Sequence, residues 1–331
     1  MNFNARAATA LDNSNLQSAL AKAGGGFIHK RQLAAAAELD FELMRDQAKE
    51  VRERSLRDLD IYIRYFEQQV THAGGHVHWA ETVEDLRAIV LDLCKKAEAR
   101  HVTKGKSMVS EEAHLNQALE QAGIIPWETD LGEYILQLAK EPPSHIVAPA
   151  LHKTKAEITQ LFRQAHDLGE RELEEVKAIV DEARTVIRQR FLSADIGITG
   201  ANLLIAETGT AMLATNEGNG DLTATLPKMH IITTSFDRVV PTWDDAAKII
   251  RVLARSATGQ PITSYTSFFS APNKSVDKDG PEDFHIVLLD NRRTQILASE
   301  YREMLHCIRC GACMNHCPVY QTVGGHAYDS V

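Results

Sequence analysis

The spacing of apolar residues changes near residue 70. Before that point, apolar residues recur at helical spacing through residues 43–51 and again through 56–66. Three consecutive glycines, Gly24 to Gly26, interrupt the pattern and predict a break between a short first helix and a longer second one. The pattern therefore predicts a helical N-terminal arm over residues 1–70.

From residue 71 onward, short apolar runs alternate with amphipathic helical segments. We expect strands at 74–79, 101–103, 145–148, 203–206, 211–215, 228–234, 265–269 and 284–289. Between them, helices are expected at 82–97 and 243–256, with a long, strongly charged helical stretch over 155–191. This alternation predicts an α/β domain covering residues 71–298.

Composition narrows the class of protein. The 331 residues are 44% hydrophobic and 24% charged, which is enough apolar material for at least one full core. The net charge is -9 and basic residues are dispersed, so neither a nucleic acid nor an anionic membrane surface is expected as a partner. With no apolar run near the ~18 residues of a membrane span and no secretory signal pattern, we expect a cytoplasmic protein without an integral membrane segment.

The last thirty residues contain a specific cofactor signature. Cys307, Cys310, Cys313 and Cys317 precede Pro318 in a C-x2-C-x2-C-x3-C-P run, which is typical of [4Fe-4S] ligation. Zinc sites favour two separated cysteine pairs, and disulfide frameworks favour small secreted chains. In two-cluster ferredoxins the fourth cysteine ligates the other cluster, which requires a second cysteine run. Residues 299–331 are therefore expected to form the first half of a ferredoxin-like module.

A glycine- and lysine-containing loop is the first candidate for ligand binding outside the cysteines. Gly105-Lys106-Ser107 is similar to the end of a phosphate-binding loop, but position 100 is arginine where that motif requires glycine. Lys104, Lys106 and Ser107 are nevertheless candidates for holding an anionic substrate or a cofactor phosphate. The alternative is a solvated basic turn.

A second candidate region surrounds Glu207, which follows one predicted strand and precedes the next. A carboxylate at a sheet end can serve as nucleophile, base or hydroxyl binder, so Glu207 is the candidate catalytic residue. The alternative is a structural glutamate that bonds turn amides. Thr208 and Gly209 in the same turn, and Asn219 in the glycine-rich loop 216–221, are predicted to complete the ligand pocket.

Several short sequence phrases occur in a distinctive order. They are 74–80 (GGHVHWA), 104–108 (KGKSM), 197–202 (GITGAN), 206–210 (AETGT), 216–219 (NEGN), the cysteine run and 324–328 (GGHAY). In this order they resemble the lactate-utilisation protein B family over nearly the entire chain. The resemblance implies a LUD α/β core similar to the CoA-transferase and ribose-phosphate-isomerase class, followed by a helical ferredoxin-like module.

The resemblance also implies a function: an iron–sulfur electron-transport subunit of an oxidoreductase that converts L-lactate to pyruvate with two sister subunits. The isolated chain is not expected to be active, and its small-molecule partner would be a hydroxy acid or an electron acceptor. Members of the family look longer, with a second cysteine run, so a fragment or truncated gene is expected and a second cluster only in a complete chain.

Two other hypotheses remain open. One is a transferase or isomerase on the LUD core, in which Glu207 reacts and the cluster is structural or sensing. The other is a non-enzymatic assembly subunit whose charged helical stretch at 155–190 docks its sister subunits.

Overall fold

The computed structural model describes residues 2–274, 277 and 279–328. Its strands, β1 to β10 in chain order, are His76–Ala80, His101–Lys104, Ile125–Glu128, Ile196–Thr199, Leu203–Ile205, Thr210–Thr215, Met229–Ser235, Val239–Val240, Tyr265–Phe269 and Asp283–Leu289. Its α-helices, α1 to α15, are Phe3–Asp12, Ser14–Ala36, Phe41–Arg57, Leu59–His72, Val83–Lys96, Met108–Glu112, Leu115–Gln121, Leu131–Ala139, Lys155–Ala165, Val176–Ser193, Asn219–Thr225, Trp243–Ala257, Arg293–Leu297, Ala312–His316 and Pro318–Val323.

These strands form two sheets. The larger has six parallel strands in the order β1-β10-β7-β4-β2-β3, and the smaller has four in the order β8-β5-β6-β9 with antiparallel pairing of β5, β6 and β9. All residues of β4 and β7, and all but the first residue of β10, are buried. This matches the central position of these strands, because parallel strands are covered by helices on both faces. The predicted α/β class is confirmed.

Strand β10 shows how the two faces of the large sheet are filled. Val287 and Leu289 point to one face and pack with α5, whereas Ile286 and Leu288 point to the other and pack with Phe66 and its neighbours on α4. This alternation follows from the two-residue period of a strand. Helices α3 and α12 pack against the small sheet in a further apolar core.

The N-terminal arm packs in two parts. Helices α3 and α4 cover the sheets, while α1 and α2 contact the C-terminal segment. Leu16 and Leu20 of α2 are buried with Tyr320 and Val323 of α15, and the Gln17 side chain donates a hydrogen bond to the Thr322 carbonyl at 2.8 Å. The N-terminal helices therefore support the segment that carries the cysteines.

Three local predictions were wrong. Helix α2 continues through Gly25 and Gly26, because packing at its two ends outweighs the ~1 kcal/mol helix penalty of each glycine. The segment 145–148 is not a strand, since the amides of Val147 and Ala148 donate to the His145 ring and close a turn. The stretch 155–191 is divided into α9 and α10 by a loop in which Gly169 has a φ of +54°.

Candidate functional site

The cysteine loop, residues 307–317, lies on the surface beside the sheet domain. Cys307 and Cys313 are exposed, whereas Cys310 and Cys317 are partly buried. The chain turns sharply here, because Arg309 and Gly311 have φ values of 58° and 72°. A Cβ on Gly311 would lie 2.5 Å from the Ile146 side chain, so only glycine allows this close approach between the loop and the segment 145–148.

Backbone amides bond the sulfur atoms of this loop. The amide of Arg309 donates to Cys307 Sγ at 3.3 Å, and the amide of Ala312 bonds the Cys310 thiol. Burial raises the pKa of the Cys310 thiol, and the negative charges of Cys307 and Cys313 raise this pKa further. Three of the four sulfurs are therefore close enough to interact electrostatically.

Cys317 packs against the apolar cluster that α1 and α2 form with α15. Among the described residues, no three His, Cys, Asp or Glu side chains converge on a point that would hold a single metal ion. A cubane cluster binds each thiolate through a different iron, so its ligands need not converge on one point. The donor set is that of an iron–sulfur cluster.

Behind the loop lies a buried arginine group, which surrounds Asp237 and Glu112. Its members are Arg52, Arg238, Arg293 and Arg309. The group is tied to the loop through carbonyl oxygens: Arg52 donates to Leu305 O at 2.7 Å and Arg238 donates to Cys307 O at 2.6 Å. These residues come from α3, the turn before β8, α13 and the cysteine loop itself.

The arginine group has an excess of positive charge. Four guanidiniums face two carboxylates, and Nε and Nη1 of buried Arg52 have no hydrogen-bond partner in the described part of the chain. Although burial alone would raise the pKa of Asp237, Arg238 and Arg52 hold it well below its usual range. Burial lowers the pKa of Arg52 to about 9. Two buried guanidinium nitrogens of Arg52 without a hydrogen-bond partner, in an arginine-rich group beside a thiolate loop, fit an anionic thiolate-ligated cluster at this position.

A cavity of about 230 Å³ lies between the sheet domain and the cysteine loop. The loops that follow β2, β4 and β6 form its walls, and Ile308, Arg309 and Cys310 form the side nearest the cysteines. Of the predicted ligand residues, Lys106, Ser107 and Asn219 line this cavity. The cavity is therefore in direct contact with one of the predicted cluster ligands.

The other predicted pocket residues lie elsewhere. Lys104 is buried and pairs with Glu128 at 2.9 Å; burial would lower the pKa of Lys104, but the carboxylates around it raise that pKa above its usual value. Thr208 and Gly209 are outside the cavity lining, and Gly209 packs directly on the backbone of α4. The residues predicted to form one pocket therefore lie in two separate parts of the structure.

Glu207 also lies away from the cavity. Its Oε1 accepts a hydrogen bond from the amide of Trp243 at 2.6 Å, at the first residue of α12. A carboxylate at a helix N-terminus satisfies a free amide and interacts favourably with the helix dipole. This contact matches the structural role that the sequence left open for Glu207.

A buried acidic group behind the cavity had no sequence signal. Glu133 is almost fully buried, and burial raises its pKa to about 8, with the charge of Glu111 adding to the effect. Lys104 and Lys106 act in the opposite direction. No local motif indicates this pair, since Glu111 lies on α6 and Glu133 on α8.

Comparisons with known proteins identify both parts of the chain. A family model described as LUD domain matches residues 63–289, and one described as 4Fe-4S dicluster domain matches residues 303–331. The cofactor is accordingly a [4Fe-4S] cluster. Among the described residues, no helix has the length and apolar character needed to cross a bilayer.

Individual relatives agree with these matches. Lactate utilization protein B of Bacillus licheniformis is 45% identical over 331 residues, which is 99% of this chain and 69% of that protein. An Escherichia coli protein named uncharacterized electron transport protein YkgF is 43% identical over 99% of this chain and 69% of its own length. A crystal structure of a DUF162 family protein from Deinococcus radiodurans covers 70% of this chain and 98% of its own, at 15% identity and a TM-score of 0.40. With its LUD domain followed by a 4Fe-4S dicluster domain, the chain belongs to the lactate utilization protein B family.

Proposed function

We propose that this chain is the cytoplasmic iron–sulfur electron-transfer subunit of an L-lactate-oxidising oxidoreductase, acting with sister subunits. The observation that carries the proposal is the position of the cysteine loop, which is held against a cation-rich group and borders a ligand-sized cavity through Cys310. The names of its relatives, which refer to lactate utilization and electron transport, support the same assignment.

The residues of the loop have separate roles in this proposal. Cys307, Cys310 and Cys313 would hold the [4Fe-4S] cluster, and Cys317, which faces the N-terminal helices, would serve a second cluster in a longer chain. A bound cluster supplies one-electron transfer. The chain's own contribution is to hold the loop by the arginine bonds and to bond the sulfurs by backbone amides, both of which tune a cluster's potential.

We further propose that the chain divides into an N-terminal arm (1–70), a LUD domain (71–298) and a cluster segment (299–331). Lys106, Ser107 and Asn219 would form the ligand pocket of the LUD domain, next to the cluster segment. Because Glu207 caps α12 outside this pocket, we assign it a structural role.

Anaerobic reconstitution tests the proposal. We expect the chain to bind iron and sulfide and to give an EPR signal on reduction, and Cys310→Ser to reduce both. Cys94→Ala is the matched control, because Cys94 is a buried thiol of α5 outside the motif. Lactate should reduce the cluster only when the sister subunits are present. A chain that holds no reducible cluster, or lactate oxidation by the isolated chain, would contradict the proposal.

A further inference from the structure

The smaller sheet ends on β9, a strand with a free edge. Strand β9 pairs with β6 on one side, and among the described residues no strand pairs with it on the other. A free edge presents main-chain donors and acceptors to any chain that approaches, and proteins usually block it with a charge, a proline or a very short strand. An edge without such a block is a place where another strand can add to the sheet.

Strand β9 lacks the usual protection of an edge. None of its five residues is charged and none is proline, and its register with β6 is unbroken over the whole strand. Two other edges of the molecule are blocked: β3 contains Pro126, and β8 is only two residues long. The edge of β9 is therefore neutral, regular and long enough to pair.

The pairing with β6 fixes which main-chain groups of β9 point outward. The Met212 carbonyl accepts the Asn202 amide at 2.8 Å, and the Ala214 amide donates to Asn202 Oδ1 at 2.8 Å, so Met212 and Ala214 turn their main-chain groups away from β9. Successive residues of a strand turn these groups to opposite sides, and directly opposite residues of an antiparallel pair either both face each other or both face away. Because Met212 and Ala214 lie opposite Phe268 and Thr266, those two residues of β9 turn their main-chain groups to the free edge.

The outward groups are unpaired and lie beside exposed aromatic rings. In the described part of the chain, no hydrogen bond from another element reaches the main chain of Thr266 or Phe268. Phe268 is 45% exposed, and its ring centroid lies 4.7 Å from that of Trp243, which is 37% exposed. Exposed aromatic residues next to unpaired main-chain groups are typical of an interaction surface.

The outward groups match a second copy of the same strand. When two β9 strands run antiparallel about a twofold axis at Ser267, Thr266 of each copy lies opposite Phe268 of the other. The outward N–H and C=O groups of these residues then bond one another, and none is left without a partner. The small Thr266 side chain faces the large Phe268 ring of the other copy, and the two Phe268 rings are diagonal neighbours within reach of each other.

The charge of the molecule favours the same pairing. The net charge is -9, so two copies repel each other over much of their surfaces. Pairing through β9 brings together strands without charged side chains. Asp221, which bonds this strand, accepts the Ser267 hydroxyl and so contacts the face opposite to Phe268.

We propose that β9 pairs with β9 of a second copy of this chain, which joins the two small sheets into one continuous sheet. Thr266 and Phe268 supply the main-chain bonds, and the Phe268 and Trp243 rings of both copies form the apolar part of the interface. Neither the cluster nor the cavity takes part, so the inference is independent of the proposed function. Because an interface of one strand pair is small, the dimer should depend on concentration, with a dissociation constant on the order of micromolar.

Sedimentation velocity of the full chain from about 1 to 200 µM, under reducing conditions, measures the dimer. Phe268→Lys places like charges in the interface and should weaken dimerisation at least tenfold. Thr266→Pro removes an outward N–H from each copy and should also weaken it about tenfold or more; the monomer should stay folded by circular dichroism, because this N–H does not bond β6. Ile125→Lys, at an exposed position on the edge strand β3, is the matched control and should leave the dissociation constant unchanged.

Ser267→Cys tests the position of the twofold axis. Directly opposite residues of a non-hydrogen-bonded pair have Cα atoms ~4.5 Å apart, which is within the range of a disulfide. Mild oxidation should therefore link two copies through position 267, as identified by peptide mass spectrometry. Ser264→Cys, just before the strand, should give no such link, because the same axis places it opposite a different residue.

Four results would overturn the inference. They are a chain that stays monomeric at about 200 µM, a dimer that Phe268→Lys and Thr266→Pro leave intact, equal weakening by Ile125→Lys, and a link at position 264 that forms as readily as one at 267. A monomer would leave this edge to a strand of another protein and so exclude a second copy as its occupant.

Discussion

Replacing Glu133 with glutamine should change how the stability of the protein depends on pH. Burial and the charge of Glu111 raise the pKa of Glu133 from 4.5 to about 8. Between these values, the folded chain keeps a proton that the unfolded chain has released. Stability therefore falls as pH rises through this window, and the contribution is favourable only at low pH.

The size of this effect follows from the same two values. The gap between 4.5 and about 8 corresponds to roughly 5 kcal/mol at 1.36 kcal/mol per pH unit, an upper figure for one group. Glu133→Gln keeps the shape of the side chain and removes the ionisation. We expect wild type and variant to be similar near pH 5, and the variant to be several kcal/mol more stable at pH 8.5.

Urea unfolding followed by circular dichroism at half-unit steps from pH 5 to 8.5 measures both curves. The difference between the two proteins cancels the titration of all other groups that behave alike in both. Glu120→Gln, on the exposed face of α7, is the control and should run parallel to wild type. If the Glu133→Gln curve also runs parallel to wild type, Glu133 does not hold its proton in the folded state.

Four other substitutions address the cysteine loop, its surroundings and Glu207. Arg52→Met should lower the midpoint potential of the reconstituted cluster in an EPR-monitored redox titration, whereas Asp237→Asn should raise it; shifts of the same sign would exclude an electrostatic cause. Gly311→Ala should reduce iron content because its Cβ would lie 2.5 Å from an isoleucine side chain. Gly123→Ala is the control, because Gly123 also has a positive φ but faces open space; it should leave iron content unchanged and cost only the ~1 kcal/mol of backbone strain. Glu207→Gln should lower thermal stability by about 0.5–1 kcal/mol through the weakened contact to α12 and leave the iron content of the reconstituted chain unchanged. A loss of iron would contradict a purely structural role for Glu207.

The features that could be predicted from the sequence are those that depend on the spacing of residues close together in the chain. The cysteine run specifies its cofactor because its ligands lie within eleven residues, and alternating apolar runs indicate a parallel sheet because their period and length are local properties. Even so, local propensity failed at Gly25 and Gly26, where the partners that stabilise α2 come from the opposite end of the chain.

The arginine group could not be predicted, for a related reason. Its members lie at positions 52, 238, 293 and 309, and each is unremarkable among its sequence neighbours. Only the fold brings them around Asp237, because α3, the turn before β8, α13 and the cysteine loop meet at one place. Charge counted along the chain gives -9, yet the surroundings of the cysteine loop are positive.

The topology explains why the cavity and the cysteine loop adjoin. In parallel α/β sheets, ligands bind beyond the carboxyl ends of the strands. Here the loop after β2 and the ends of β4 and β7 supply Lys106, Thr199 and Thr233 to the cavity wall. The cysteine loop adds Ile308, Arg309 and Cys310 to the same cavity wall, and Arg309 belongs to both the arginine group and the cavity lining. A change of charge in the cavity therefore alters the electrostatic potential at the arginine group, and the reverse also holds, because Arg309 is shared by both. This coupling requires no movement of the fold.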